Sequence, residues 1–76
     1  MRYIFPRPVC LPANNTISHS ELRLALGGAS RALLYKWRKY HEFPSFFKDG
    51  RSTFSITEEV VDWLNKKGVE VKRVRK

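Results

Sequence analysis

The sequence predicts a mainly α domain with a small β-hairpin wing, the winged helix-turn-helix class. Three observations carry that prediction. Two helix-start signals, Ser18-His19-Ser20-Glu21 and Ser30, stand on either side of the Gly27-Gly28 pair. Asp49-Gly50 separates two short runs of strand-forming residues. A third amphipathic stretch opens at Thr57 and closes at Gly68. The resulting order is helix, turn, helix, hairpin, helix.

Residues 1–16 hold three of the four prolines and show no helical period. They read as an extended N-terminal arm, with a short strand at Arg2–Phe5 and with Ile4, Phe5, Val9 and Leu11 laid over the core. A basic arm can also reach into a minor groove, here through Arg2 and Arg7; packing or disorder is the commoner fate of such a segment. The organised domain is expected over residues 17–68, followed by a basic tail over 69–76.

Ser18 and Glu21 have capping-box spacing, and Ile17 with Leu22 occupies the positions of a hydrophobic staple. A short helix is expected from His19 to Leu26, with Leu22, Ala25 and Leu26 buried and Leu24 pointing elsewhere. Gly27 and Gly28 can take the left-handed conformation that ends a helix. Ser30 then caps a second helix running to about Tyr40, which Pro44 forbids from continuing. On a helical wheel Leu33, Leu34, Trp37, Tyr40 and His41 share one arc, and Arg31, Ala32, Tyr35, Lys36 and Lys39 share the opposite one.

Two strands are expected at Ser45–Lys48 and Ser52–Ile56, with Gly50 supplying the positive φ of the turn. A two-residue loop puts Phe47 on the Phe54/Ile56 face, and a three-residue loop ending at Gly50 puts Phe46 there; the second is preferred. Thr57 is expected to cap a helix over Glu58–Lys67, with Val60, Val61, Trp63 and Leu64 as its apolar face. Glu58 and Glu59 suit its positive end, and Lys66 and Lys67 its negative end. The tail alternates valine with charge, so it either adds a strand or stays loose.

Charge narrows the function. The 76 residues carry 15 Lys+Arg against 7 Asp+Glu, a net charge of +8, and a pI near 10.2. Such a balance attracts polyanions, above all nucleic acid. No segment approaches the ~18 apolar residues of a membrane span, and prolines 6, 8 and 12 break any signal-peptide core. A cytoplasmic protein is expected, and Cys10, as the only cysteine, leaves no intrachain disulfide. The Asn14-Asn15-Thr16 sequon is read as chance.

Enzymatic readings find little support. His19, His41 and Cys10 have no metal-ligand spacing. Glu58-Glu59-x-x-Asp62 is better explained as a solubilised helix start than as a magnesium site. No nucleophile–base pair and no phosphate-cradling glycine loop are present, so neither catalysis nor a cofactor is expected. Trp37 and Trp63 sit among leucines and valines at helical spacing, which marks them as core rather than as stacking platforms.

The partner expected is double-stranded DNA. Arg31, Ala32, Tyr35 and Lys36 would enter the major groove from the second helix, whose start Ser30 fixes. Lys39 would hold the backbone beside them, and Lys48, Arg51 and Ser52 would do so from the wing. A rival from another class keeps the fold but docks the basic face on an acidic host protein, with Tyr40–Phe47 as an aromatic hot spot.

The ordered set LGGAS, RALLYKW, RKYHEFP and STFSITEEVVDWL resembles the AlpA/excisionase group of small phage and mobile-element proteins, winged helices related to the DNA-binding domain of MerR-type regulators. The matching positions are Gly28 and Ser30, Tyr35, Phe43 and Pro44, Gly50, Trp63 and Leu64, within residues 17–65. His41, where the family commonly has glycine, and the proline-rich arm depart from the pattern. The resemblance implies a recombination directionality factor or a small transcriptional regulator. It also implies an integrase as a partner and cooperative self-association on DNA.

Overall fold

The computed structural model describes residues 3–74. Arg2, and with it half of the proposed minor-groove arm, lies outside the described residues, as do Arg75 and Lys76 of the tail. The elements are β1 (Val9–Pro12), β2 (Thr16–Ser18), α1 (His19–Ala25), α2 (Arg31–Tyr40), β3 (Phe47–Asp49), β4 (Ser52–Ile56), α3 (Thr57–Lys66) and β5 (Val71–Val74).

The fold class differs from the one the sequence suggests. Over the described residues the protein is a small α/β domain with three helices and five strands in two sheets, 26% strand and 38% helix, rather than mainly α with a small wing. Three strands make the difference. β1 pairs with β5 in parallel, Val9 opposite Val71 and Pro12 opposite Val74. β2 adds to the hairpin as a third antiparallel strand, giving the order β2-β4-β3. A parallel pair needs a long crossover, and here nearly the whole chain supplies it. Outside the ladder itself, the Val9 N–H donates to the Glu70 carbonyl at 2.9 Å and the Ala13 N–H to the Val74 carbonyl at 3.1 Å. Val9 and Leu11, on one face of β1 at period two, are both completely buried. Arg2–Phe5, expected as a strand, contributes none over its described residues.

The first two helices start where their caps place them. The Ser18 hydroxyl accepts from the Glu21 N–H at 3.3 Å, and the Ser30 hydroxyl from the Leu33 N–H at 3.1 Å. Thr57 does not cap α3; it is the first helical residue, Ile56 is the cap, and the Thr57 side chain is buried. The face of β4 is also reversed. Ser55 is fully buried while Phe54 and Ile56 are only half-buried, because β2 joins the sheet with Ile17 opposite Ser55.

The preferred hairpin register is corrected as well. Phe47 pairs with Phe54 and Asp49 with Ser52, leaving Gly50-Arg51 as a two-residue loop. Phe46 precedes the strand and turns inward, its ring 4.2 Å from that of His19 and 5.8 Å from that of Phe43. Tyr40, placed on the apolar arc of α2, is 65% exposed, whereas Leu34 and Trp37 carry the burial. The turn after α2 takes its positive φ at Glu42, not at His41.

An aromatic cluster joins the layers. Trp37 of α2 lies 5.0 Å from the Tyr3 ring, 5.5 Å from Phe5 and 5.6 Å from Trp63 of α3. The Trp63 indole donates to the His41 carbonyl at 2.8 Å, so α3 fixes the end of α2. The N-terminal arm holds the end of α1: the Tyr3 hydroxyl donates to the carbonyl of its C-cap, Leu26, at 2.5 Å. Both turn glycines have φ +86°, but a Cβ on Gly27 would sit 3.2 Å from the Pro6 ring, and one on Gly28 meets nothing. Alanine at either site is expected to cost ~1–2 kcal/mol of left-handed strain. Gly27→Ala should cost more than Gly28→Ala, because the arm must also give way. Urea midpoints for the two variants check this; equal midpoints would show that Pro6 does not brace the turn.

Candidate nucleic-acid interface

The site is built on the two caps and the hairpin turn. Ser30 starts α2 so that Arg31 is its first residue and Tyr35 stands one turn on. The two-residue loop of the hairpin sets Lys48, Arg51 and Ser52 at its tip, all exposed. These residues meet around a cleft of about 250 Å³. Arg31 and Tyr35 line it from α2, and Lys48, Arg51, Ser52 and Thr53 from the hairpin. The third wall is Ser18 with His19, Ser20 and Arg23 of α1.

Five of the residues expected at the interface are thus brought together: Arg31, Tyr35, Lys48, Arg51 and Ser52. Ala32, Lys36 and Lys39 do not line the cleft; they continue the exposed surface of α2. Ser30 is a capping residue, its hydroxyl engaged by the helix start. Tyr35 is half-exposed and braced edge-on by the Phe46 ring at 5.2 Å. Arg38 lies over the same ring at 5.7 Å. Of the aromatics in the Tyr40–Phe47 segment, Phe43 and Phe46 turn inward, leaving Tyr40 and Phe47 exposed.

Arg23 and His19 were not expected here. They stand four apart on α1 and so share one face, a spacing that was readable in the sequence. The Arg23 Nε donates to the Ala29 carbonyl at 2.9 Å, which ties its guanidinium to the turn before α2. His19 is 9% exposed, and its Nε2 has no partner among the described residues. Burial, and then the charges of Arg31 and Arg23, hold its pKa below the ordinary value of 6.5.

No carboxylate lines this cleft. The ion pair of the described residues, Arg73 with Glu58 at 2.6 Å, lies on β5 and α3. Three of the acidic groups, Glu42, Glu59 and Asp62, border a different cleft beside Trp63. Whereas that cleft mixes its carboxylates with Lys66 and Lys67, the α1–α2–hairpin cleft presents four cations with no carboxylate among its lining residues. Such an arrangement favours an anion. Among the described residues no cluster of three or more His, Cys, Asp or Glu could hold a metal ion. No helix among the described residues is long and apolar enough to cross a membrane. No family model matches the chain, and no curated protein or solved structure matches it significantly.

Proposed function

We propose that the protein binds double-stranded DNA with sequence preference. α2 meets base edges in the major groove, and the β3–β4 hairpin holds the adjacent backbone. The observation that carries this reading is the convergence of Arg31, Lys48 and Arg51, from two separate elements, on one cleft without a carboxylate. The net charge of +8 supports it, as does the exposed run of Ala32, Lys36 and Lys39 along the same helix. The resemblance to AlpA/excisionase proteins supplies the biological setting. The protein would act in the cytoplasm, on the DNA of a phage or mobile element. It would serve there as a recombination directionality factor beside an integrase or as a small transcriptional regulator. Neither role changes DNA covalently; each uses phosphate neutralisation and deformation of the duplex, with neighbouring copies binding cooperatively.

Selection from random duplexes, followed by gel shift with excess nonspecific competitor, tests this reading. Two arginines should then behave differently. Arg31, beside the Ser30 cap, can offer two bonds to guanine O6 and N7. Arg31→Ala is expected to lose ~1–3 kcal/mol on the selected site and much less on scrambled DNA. Arg51 sits in the hairpin loop, so Arg51→Ala should weaken both DNAs about equally. Equal losses from Arg31→Ala would remove it from base reading, and unchanged binding by Arg51→Ala would remove the hairpin from the footprint.

A further inference from the structure

We propose that the cleft between α1, α2 and the β3–β4 hairpin is a discrete phosphate-binding site, in which one phosphate group seats among Arg23, Lys48 and Arg51 over the His19 ring. The inference rests on the DNA reading only for the source of that phosphate. Three structural facts carry it. The cleft's cations come from three elements and line one concavity of about 250 Å³. No carboxylate competes for them on the cleft wall. One wall holds a nine-tenths-buried imidazole whose Nε2 has no partner among the described residues.

The groups around His19 fix the sign of its response. Arg23 stands on its own helix, Arg31 on α2, and Lys48 and Arg51 on the hairpin; Phe46 closes against the ring edge-on at 4.2 Å. Burial first, and then the positive charges of Arg31 and Arg23, make the imidazole resist protonation in the free protein and hold its pKa below 6.5. The unfolded chain takes up this proton first on acidification. The free protein therefore keeps the full contribution of neutral His19 above pH 6.5 and loses it as pH falls below that value. An anion in the cleft opposes those cations and favours the imidazolium. Binding then takes up a proton, and affinity rises toward acid pH by up to about tenfold per pH unit for one linked proton.

The test is an NMR titration of the two histidine rings of the intact chain, with His41, outside this cleft, as the internal reference. Inorganic phosphate, compared with chloride at matched ionic strength, should raise the His19 midpoint by about one unit and leave His41 in place. Lys48→Ala and Arg51→Ala, both at exposed positions, should each shrink the rise. A short DNA duplex should raise the midpoint as phosphate does, which identifies the backbone as the source. A rise with phosphate but not with duplex keeps the site and assigns it a free phosphate, against the DNA reading. A duplex that binds while neither it nor phosphate moves His19 overturns the phosphate site and leaves the DNA reading standing. No movement with either probe, or equal movement of both rings, also overturns it.

Discussion

Trp37→Ala is expected to abolish cooperative folding. The indole is 2% exposed and touches rings from three parts of the chain: Tyr3 and Phe5 of the N-terminal segment, Phe43 after α2, and Trp63 of α3. Truncating a buried tryptophan removes its transfer free energy and leaves a cavity, together ~3–5 kcal/mol. A single core in a chain this short rarely supplies more than about 3–5 kcal/mol in all. The loss should therefore consume the whole stability. It should appear in circular dichroism as a broad, non-sigmoidal thermal trace. The Tyr3 and Phe5 contacts add a corollary, because the same deletion should release the N-terminal segment from α2. A Trp37→Ala protein with a sharp native-like transition that had lost only DNA affinity would place this residue in the interface instead.

The second large effect concerns the cleft. The triple variant Arg31→Ala, Lys48→Ala, Arg51→Ala removes three exposed cations that make no ion pair with any described residue. The fold should tolerate it, since surface substitutions of this kind usually change stability by no more than about 0.5 kcal/mol. DNA affinity should not. Each phosphate neutralised contributes ~0.9 of a released counterion, so the two lost hairpin contacts at about 0.1 M salt amount to roughly 1.8 decades of affinity, and the lost Arg31 contact adds ~1–3 kcal/mol on the selected site. Fluorescence anisotropy on a labelled duplex, with circular dichroism alongside, separates the two effects. A triple variant that binds like the parent would move the interface elsewhere on the molecule.

The parts of this fold legible in the sequence are those specified by neighbours along the chain. Ser18 and Ser30 announce α1 and α2 because a capping hydroxyl acts on an N–H three residues away. Asp49-Gly50 announces the hairpin for the same reason, although the register turned on Phe46, whose partners His19, Tyr35 and Phe43 are distant in sequence. What stayed hidden is what depends on long-range pairing. β1 ends in Pro12, a residue that reads as loop, and finds its partner in the tail some sixty positions on. β2 is only three residues long and runs straight into α1, so its alternation could be read as a helix entry. Those strands turn an expected mainly α domain into an α/β one. The same division holds at the candidate interface. Arg31 and Tyr35 were visible as one stripe of α2, and the hairpin cations as its tip. Arg23 and His19 share a face of α1 at a spacing of four, but only the fold brings that face against the hairpin.

The most direct test of the account is the salt dependence of binding to a duplex. If α2, the cleft and the hairpin together neutralise ~4–6 phosphates, log K should fall against log[salt] with a slope of roughly −4 to −5. The triple variant should show a slope shallower by about 2. A wild-type slope near zero, or one that the three substitutions leave unchanged, would contradict DNA binding through this face and favour docking on an acidic protein partner.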